Sequence, residues 1–135
     1  DRFLTEDDLK KPGVKIAVRL GAVEDDLAGK LFPQAEILRF KTDTASTIGE
    51  AVRNKQADVW VADAVLQQQY LEQQPWGRVV GDVFGKTPLS WIIRYGDPDW
   101  ASFLNIFIEW LRSSGQLEAT IAKYGQDPST AYGSR

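Results

Sequence analysis

The sequence of 135 residues contains no cysteine and no histidine. Without cysteine there is no disulfide, no thiol nucleophile and no thiolate metal ligand, and without histidine there is no imidazole base and no common zinc ligand. Enzymes can use carboxylates, lysine, tyrosine or serine instead, but these absences favour a protein without catalysis. We therefore expect no metal site, no cofactor and no enzymatic activity.

The sequence also lacks long apolar runs and an excess of positive charge. No run is long enough to span a bilayer. The net charge of −3 and the pI of about 5.0 argue against nucleic acid or an anionic membrane surface as the main partner. Its length and its 43% hydrophobic content suit one globular domain. The absence of cysteine and the start at Asp1 fit an exported protein that has lost its signal peptide.

The stretch 57–65 (ADVWVADAV) is the one around which the rest of the chain is organised. Its apolar run, Val59-Trp60-Val61, is short and rich in β-branched and aromatic residues, which predicts a strand buried on both faces of a parallel sheet. Ligands of open parallel sheets bind just beyond the carboxyl ends of the strands. Asp63 follows this strand and is therefore the first candidate for a binding site.

The first two thirds of the chain alternate between predicted strands and predicted helices. A short helical turn over 5–9 and the Pro12-Gly13 pair come before the first strand. The predicted strands cover 14–19, 35–40, 57–62 and 78–83, and the predicted helices cover 24–31, 45–54 and 64–73. This order predicts an α/β fold with an open, mostly parallel sheet and helices on both faces.

The pattern changes in the last third of the chain. A further strand is predicted over 89–95, then helices over 99–113 and 116–124, and a polar tail over 126–135. The helix 99–113 is apolar around more of its circumference than one small sheet requires. We expect its second face to be covered by another domain, another copy of the chain or a missing part of the polypeptide; the alternative is an unusually apolar helix in one compact domain.

A tight turn at Gly21-Ala22-Val23 joins the first strand to the first long helix. Backbone N–H groups at such a turn point outward and can hold an anion. The alternative is an ordinary strand–helix connection, and the acidic residues 24–26 disfavour a phosphate there. Asp63 has a similar alternative, since aspartate is a good N-cap for the helix that begins at Ala64. Asp58, at the other end of its strand, is interpreted as structural.

Several motifs occur in an order that resembles a known family. They are DLKKPGVKIAV, VRLGAVEDDLA, Asp43-Thr44 before a helix, the strand that ends at Asp63, GKTPLSWIIRYGD and FLNIFIEWLRSSGQLEATIAKYG. From about residue 4 to 125 the chain resembles the second half of a bacterial family 3 extracellular solute-binding protein, a periplasmic receptor of amino-acid ABC importers. The stretch 58–66 is also similar to the ligand domains of ionotropic glutamate receptors.

The resemblance implies one lobe of a type II periplasmic-binding-protein fold, with ligand bound in a cleft between two lobes. Residues 1–95 would form the ligand-binding lobe with crossover strands at its ends. Residues 96–125 would form C-terminal helices that pack on a missing first lobe or a partner chain. The implied function is the solute-binding component of an ABC importer. It would be periplasmic or extracellular, with an amino acid or a related solute as ligand and the transporter permease as partner.

The resemblance also assigns site residues. Asp63 matches the acid that accepts the α-ammonium of the ligand. Gly21, Ala22 and Val23 match the turn that helps to hold the ligand carboxylate, usually with a serine or threonine hydroxyl. Neither Ala22 nor Val23 has a hydroxyl, which weakens the case for a standard α-amino acid. Two more residues on the same edge, Thr42 and Thr44, would line the cleft, although helix capping alone would explain Thr44.

Two other functions fit the same resemblance. Some periplasmic dehydratases of the cyclohexadienyl or prephenate type share the fold and need a positioned carboxylic acid as proton donor. No second acid follows Asp63 closely, and Glu24 is the nearest alternative we can propose. The other possibility is a ligand-sensing receptor domain or a self-associating protein, for which the apolar helix is the main support.

Overall fold

A computed structural model of the chain describes residues 3, 5–42, 44–82, 84–85 and 90–124. The chain divides into two compact units, residues 1–85 and 86–135. The first unit contains α1 (Glu6–Leu9), β1 (Lys15–Arg19), α2 (Val23–Leu31), β2 (Glu36–Phe40), α3 (Ala45–Arg53), β3 (Val59–Trp60) and α4 (Ala64–Gln73). The second unit contains α5 (Pro98–Ser113) and α6 (Gln116–Lys123).

The described strands form one parallel sheet in the order β2-β1-β3. Ile16 of the central strand is paired with Ile37 on one side and with Val59 on the other. The three central residues of β1 are fully buried, because helices cover both faces of the sheet. The predicted α/β fold with a parallel sheet is therefore confirmed.

Side chains that alternate along β1 enter two separate cores. Ile16 and Val18 lie in the larger core, with Phe32 and Ala28 among its members. Ala17 points to the opposite face and lies in a smaller core with Ile48 of α3. A period of two along the strand thus supplies both layers of helices with an apolar surface.

The predicted strand over 57–62 shrinks to two residues and lies at one side of the described sheet. Val59 and Trp60 are only partly buried, and the strand buried on both faces is β1. The prediction that the strand over 57–62 is buried on both faces of the sheet was therefore wrong. A strand gains its hydrogen bonds from its neighbours, and among the described residues β3 has a partner only in β1.

Two further predicted strands are absent from the part of the chain that the structure describes. Residues 78–82 and 90–95 have no strand conformation; Val83 and Leu89 lie outside the described residues. Their apolar alternation predicted strands, but among the described residues neither segment takes part in a hydrogen-bonded ladder. Ile92 is 97% exposed, which is the opposite of the burial expected for a strand in a sheet.

Two of the longer helices begin at N-caps that the sequence reveals. Helix α4 has the predicted bounds and begins directly after its N-cap, Asp63. Helix α5 begins after Asp97, whose carboxylate accepts the N–H of Trp100 at 2.9 Å. Pro98 occupies the first turn, where a missing N–H costs no helical hydrogen bond. Within the described ranges, none of the helices has the length and apolar character that crossing a membrane requires.

Helix α5 carries a row of aromatic rings along one face. Phe103 stacks on Trp100 at a centroid distance of 5.3 Å and on Phe107 at 6.4 Å, and Phe107 stacks on Trp110 at 5.9 Å. All four rings are exposed. What covers this face stays a prediction, as does the division of the chain at residue 95, and the predicted tail over 126–135 lies outside the described residues.

Candidate functional site

The carboxyl ends of β1 and β2 border a shallow, open depression of about 450 Å³. It is lined by Arg19, Leu20, Gly21, Ala22, Lys41 and Thr42. Of the predicted site residues, the structure therefore brings Gly21, Ala22 and Thr42 together. Val23, Thr44 and Asp63 do not line this depression. Its position follows from the parallel sheet, since strands that run in one direction end at one edge.

The backbone N–H groups of Gly21 and Ala22, in the turn after β1, donate hydrogen bonds to acceptors within the chain. Gly21 has a φ of +73°, a left-handed conformation that glycine adopts without steric cost. Its N–H donates to Asp25 Oδ2 at 3.2 Å, and the N–H of Ala22 donates to the carbonyl of Arg19 at 3.3 Å. The anion held by this turn is therefore a carboxylate of the chain itself.

The carboxylate of Asp25 is held by a second donor, the Nε of Arg39. The Nε lies 2.9 Å from Oδ1 and 3.2 Å from Oδ2, and the side chain of Asp25 is only 13% exposed. The sequence indicates Asp25 only as one of the acids that disfavour a phosphate, and it does not predict this contact. The signal was available: an aspartate lies four residues after the glycine, and an arginine lies near the end of the neighbouring strand.

A second, smaller depression of about 380 Å³ lies beside this pair, but its charged groups are already matched. Asp25 is paired with Arg39, and Lys30 Nζ lies 2.5 Å from Asp26 Oδ2. A ligand would have to compete with both contacts. The first depression is thus the better candidate for a charged ligand.

The threonine hydroxyls after β2 form a short hydrogen-bonded chain. Thr42 Oγ1 lies 3.0 Å from Thr44 Oγ1, which lies 2.7 Å from Thr47 Oγ1. Thr44 occupies the N-cap position of α3, but its side chain accepts no hydrogen bond from a helix N–H. Capping alone therefore does not explain this hydroxyl. Thr42 Oγ1 also accepts the N–H of Thr44 at 3.1 Å, which fixes Thr42 at the wall of the depression.

Asp63 lies after β3 and caps α4. Its Oδ1 accepts the N–H of Val65 at 2.8 Å and that of Leu66 at 3.4 Å. Both hydrogen bonds use one oxygen, and among the described residues Oδ2 has no hydrogen-bond partner. Capping and ligand binding can therefore coexist. The residue is exposed.

Two basic residues that the sequence did not indicate as site residues line the depression. Arg19 is the last residue of β1, and Lys41 directly follows the last residue of β2. The nearest described acid to Arg19 is Glu24, whose Oε1 lies 3.7 Å from the Arg19 guanidinium. The signal that could have revealed them is their common position, at the carboxyl ends of neighbouring predicted strands.

Behind β3, Tyr70 of α4 packs its ring edge-on against Trp60 at 5.6 Å and against Trp76 at 6.2 Å. Its hydroxyl donates to Glu50 Oε1 at 3.4 Å. Burial, and secondarily the negative charge of Glu50, raises the pKa of the Tyr70 hydroxyl above its usual value. This cluster fixes α4, and with it the position of Asp63.

The chain matches no protein-family model and no curated protein. It does match solved structures. One is an ancestral amino-acid-binding protein, AncCDT-1, a precursor of cyclohexadienyl dehydratase, which is 28% identical with a TM-score of 0.70. That match covers 91% of this chain and 51% of the other. A mutant of ArgBP from T. maritima is 24% identical with a TM-score of 0.70, over 90% of this chain and 51% of that one.

A third match is an ancestral arginine-binding protein bound to glutamine, which is 23% identical with a TM-score of 0.72. It covers 91% of this chain and 54% of the other. The chain thus spans about half the length of the solved structures it matches. The predicted resemblance to half of a periplasmic binding protein, and the fold that it implies, are confirmed by these matches.

Proposed function

Because this chain has the fold of one half of the periplasmic amino-acid-binding proteins, we propose that it forms one side of a solute-binding site in an ABC importer. The ligand is a small polar solute of the amino-acid class. The observation that carries this proposal is the depression at the carboxyl ends of β1 and β2, bordered by the Gly21 turn and Thr42. The match of 28% identity to an amino-acid-binding protein supports the same function.

The chemistry of this edge supports binding without catalysis. Asp63 offers a free carboxylate oxygen, which suits an ammonium group because hydrogen bonds between charged partners are the strongest available. The proton donor of a dehydratase would be expected to have shielding from water or a second acid beside it. Asp63 is exposed and has neither among the described residues.

The other side of the site comes from outside this chain. The matched structures are about twice as long, and closure of two lobes around a ligand is the motion expected of such proteins. We propose that a first lobe or a second copy of the chain completes the cleft. In the same proposal, the complete protein acts outside the cytoplasm, in the periplasm or beyond, and delivers its ligand to a permease.

The proposal can be tested by titrating the isotope-labelled chain with single amino acids and following its backbone amide signals by NMR. A half-site should bind weakly, with a Kd of about 1 mM or above. We expect shifts at residues 21–23, 42, 44 and 63, and smaller shifts in the Asp63→Asn variant. If no amino acid moves these signals at any soluble concentration, the proposal is wrong.

The same samples separate binding from dehydration. AncCDT-1, one of the matched structures, is a precursor of a cyclohexadienyl dehydratase. Each sample is therefore also incubated with prephenate, and the aromatic product is measured by its absorbance. Turnover that is lost in Asp63→Asn would contradict the proposal of binding without catalysis.

A further inference from the structure

The charged residues that line the depression are both basic. Arg19 ends β1 and Lys41 follows β2, and these two strands are direct neighbours, with Arg19 paired with Phe40. Among the residues that the structure describes, no acid belongs to the lining. The wall formed by these strand ends therefore presents positive charge to a ligand.

The acids closest to this wall do not cancel its charge. Asp25 is held by Arg39 and by the N–H of Gly21. Glu24 lies 3.7 Å from Arg19 and neutralises that residue at most. In the portion of the chain covered by the structure, Lys41 has no carboxylate within 4.0 Å. At least one uncompensated cation thus faces the depression.

The negative group of the same edge lies on the other side of the central strand. Lys41 follows β2, Asp63 follows β3, and β1 lies between them. Adjacent strands are about 4.8 Å apart, so the ends of β2 and β3 are separated by about 10 Å. The edge therefore has a negative end and a positive end.

This separation discriminates between the two carboxylates that an amino acid can carry. The α-carboxylate is bonded to the carbon that carries the ammonium, so it stays close to Asp63 and the central strand when the ammonium binds there. A carboxylate at the end of the side chain extends several ångströms farther toward Lys41 and is the better placed of the two to bind it. The turn beside the depression is a poor alternative for the α-carboxylate, because the N–H groups of Gly21 and Ala22 are already used.

We infer that the site takes an amino acid with a carboxylate at the end of its side chain, of the length of glutamate or longer. Its ammonium binds Asp63, and its distal carboxylate binds Lys41 and Arg19. This inference rests on the proposed function and names the class of solute.

Glutamate and glutamine provide the test, because they have nearly the same shape and differ in the charge of the distal group. The chain is titrated with each of them, and with arginine, by NMR. We expect glutamate to bind about tenfold more tightly than glutamine, a difference of about 1.4 kcal/mol, because only its distal group is charged. The exposed Lys41→Gln variant should lose this preference.

The matched control is Lys15→Gln. Lys15 is an exposed lysine on the same sheet, but it lies at the amino end of β1. The Lys15→Gln variant should leave the preference for glutamate unchanged. Circular dichroism checks that both variants fold. Equal or tighter binding of glutamine or arginine overturns the inference and leaves the proposed function intact. Absence of binding by all three, and by the other amino acids, overturns both.

Discussion

The carboxylate of Asp58 accepts the backbone N–H of Lys15 at 2.9 Å, although the two residues are 43 positions apart. The N–H of Asp58 donates in turn to the carbonyl of Lys15 at 2.8 Å. Asp58 thus holds both backbone polar groups of the first residue of β1. This pair of contacts gives a physical basis to the structural role that the sequence predicted for Asp58.

Replacement of Asp58 by alanine should lower the free energy of unfolding by about 0.5–1.5 kcal/mol, because the N–H of Lys15 loses its acceptor at an exposed position. Urea denaturation measures the change. Asp7→Ala serves as a control, since Asp7 is exposed and its ion pair with Lys10 lies on the surface. A loss no larger than that of the control would show that water replaces Asp58 without cost.

Gly49 of α3 should not tolerate a methyl group. An added Cβ would lie 2.7 Å from Tyr70 Oη and 2.8 Å from Cε1. Alanine normally stabilises a helix by roughly 0.5–1 kcal/mol relative to glycine, but overpacking costs about 1–3 kcal/mol. Gly49→Ala should therefore lower the melting temperature.

The control for Gly49→Ala is Gly29→Ala in α2, where an added Cβ meets nothing within 4 Å. This variant should raise the melting temperature. The Tyr70→Ala background should remove the penalty at Gly49, because the clashing ring is gone. If Gly49→Ala is still destabilising in that background, the crowding does not come from Tyr70.

The cap at Asp63 predicts a separation between stability and binding. Asp63→Ala should cost about 1 kcal/mol of folding free energy, because the N–H groups of Val65 and Leu66 lose their acceptor. Asp63→Asn should keep most of this stability, since asparagine is an equally good N-cap, but should weaken ligand binding. Chemical denaturation and NMR titration of both variants measure the two effects. Unchanged binding in Asp63→Asn would mean that Asp63 acts only as a cap.

The hydroxyl of Tyr70 should titrate above pH 10, the usual pKa of tyrosine. Burial is the main cause of the raised pKa, and Glu50 adds to it. Because the folded-state pKa exceeds the unfolded one, the contribution to stability is complete below about pH 10 and is lost as the pH rises through the folded-state pKa. Glu50→Gln should lower the pKa partway.

Ultraviolet absorbance during a pH titration measures this pKa, and the difference from Tyr70→Phe isolates the signal of Tyr70 from those of the other tyrosines. A Tyr70 signal that titrates together with that of free tyrosine would contradict the prediction. An unchanged pKa in Glu50→Gln would assign the whole shift to burial.

The elements that the sequence predicted best are those whose determinants are local. Asp63 marks the start of α4, and Asp97 with Pro98 marks the start of α5, because a cap acts within one turn of its helix. The segments 78–83 and 89–95 carry an equally clear apolar alternation. A strand, however, depends on a partner elsewhere in the chain, and a local pattern contains no information about whether that partner is present.

The role of the predicted site residues in binding stays a prediction, but part of their placement could be predicted. The edge of the sheet follows from the strand order, so Gly21, Ala22 and Thr42 could be placed there from the sequence. The carboxylate that accepts the N–H of Gly21 could not be predicted. Asp25 reaches Gly21 only in the folded chain, where Arg39 of the neighbouring strand holds its carboxylate. Side-chain contacts between elements of this kind depend on packing that periodicity does not report.

The position of β1 at the centre of the sheet has a consequence for how the chain acquires its structure. Ile16 is paired with Ile37 and with Val59, so both of its neighbours come later in the sequence. During synthesis the most buried of these three strands is made before the other two and stays without its full set of hydrogen bonds until Trp60 has been added. Pairings between distant parts of a chain slow folding. We expect formation of the β1–β3 pair to limit the folding rate, and nascent chains that end before Val59 to be the most prone to aggregate.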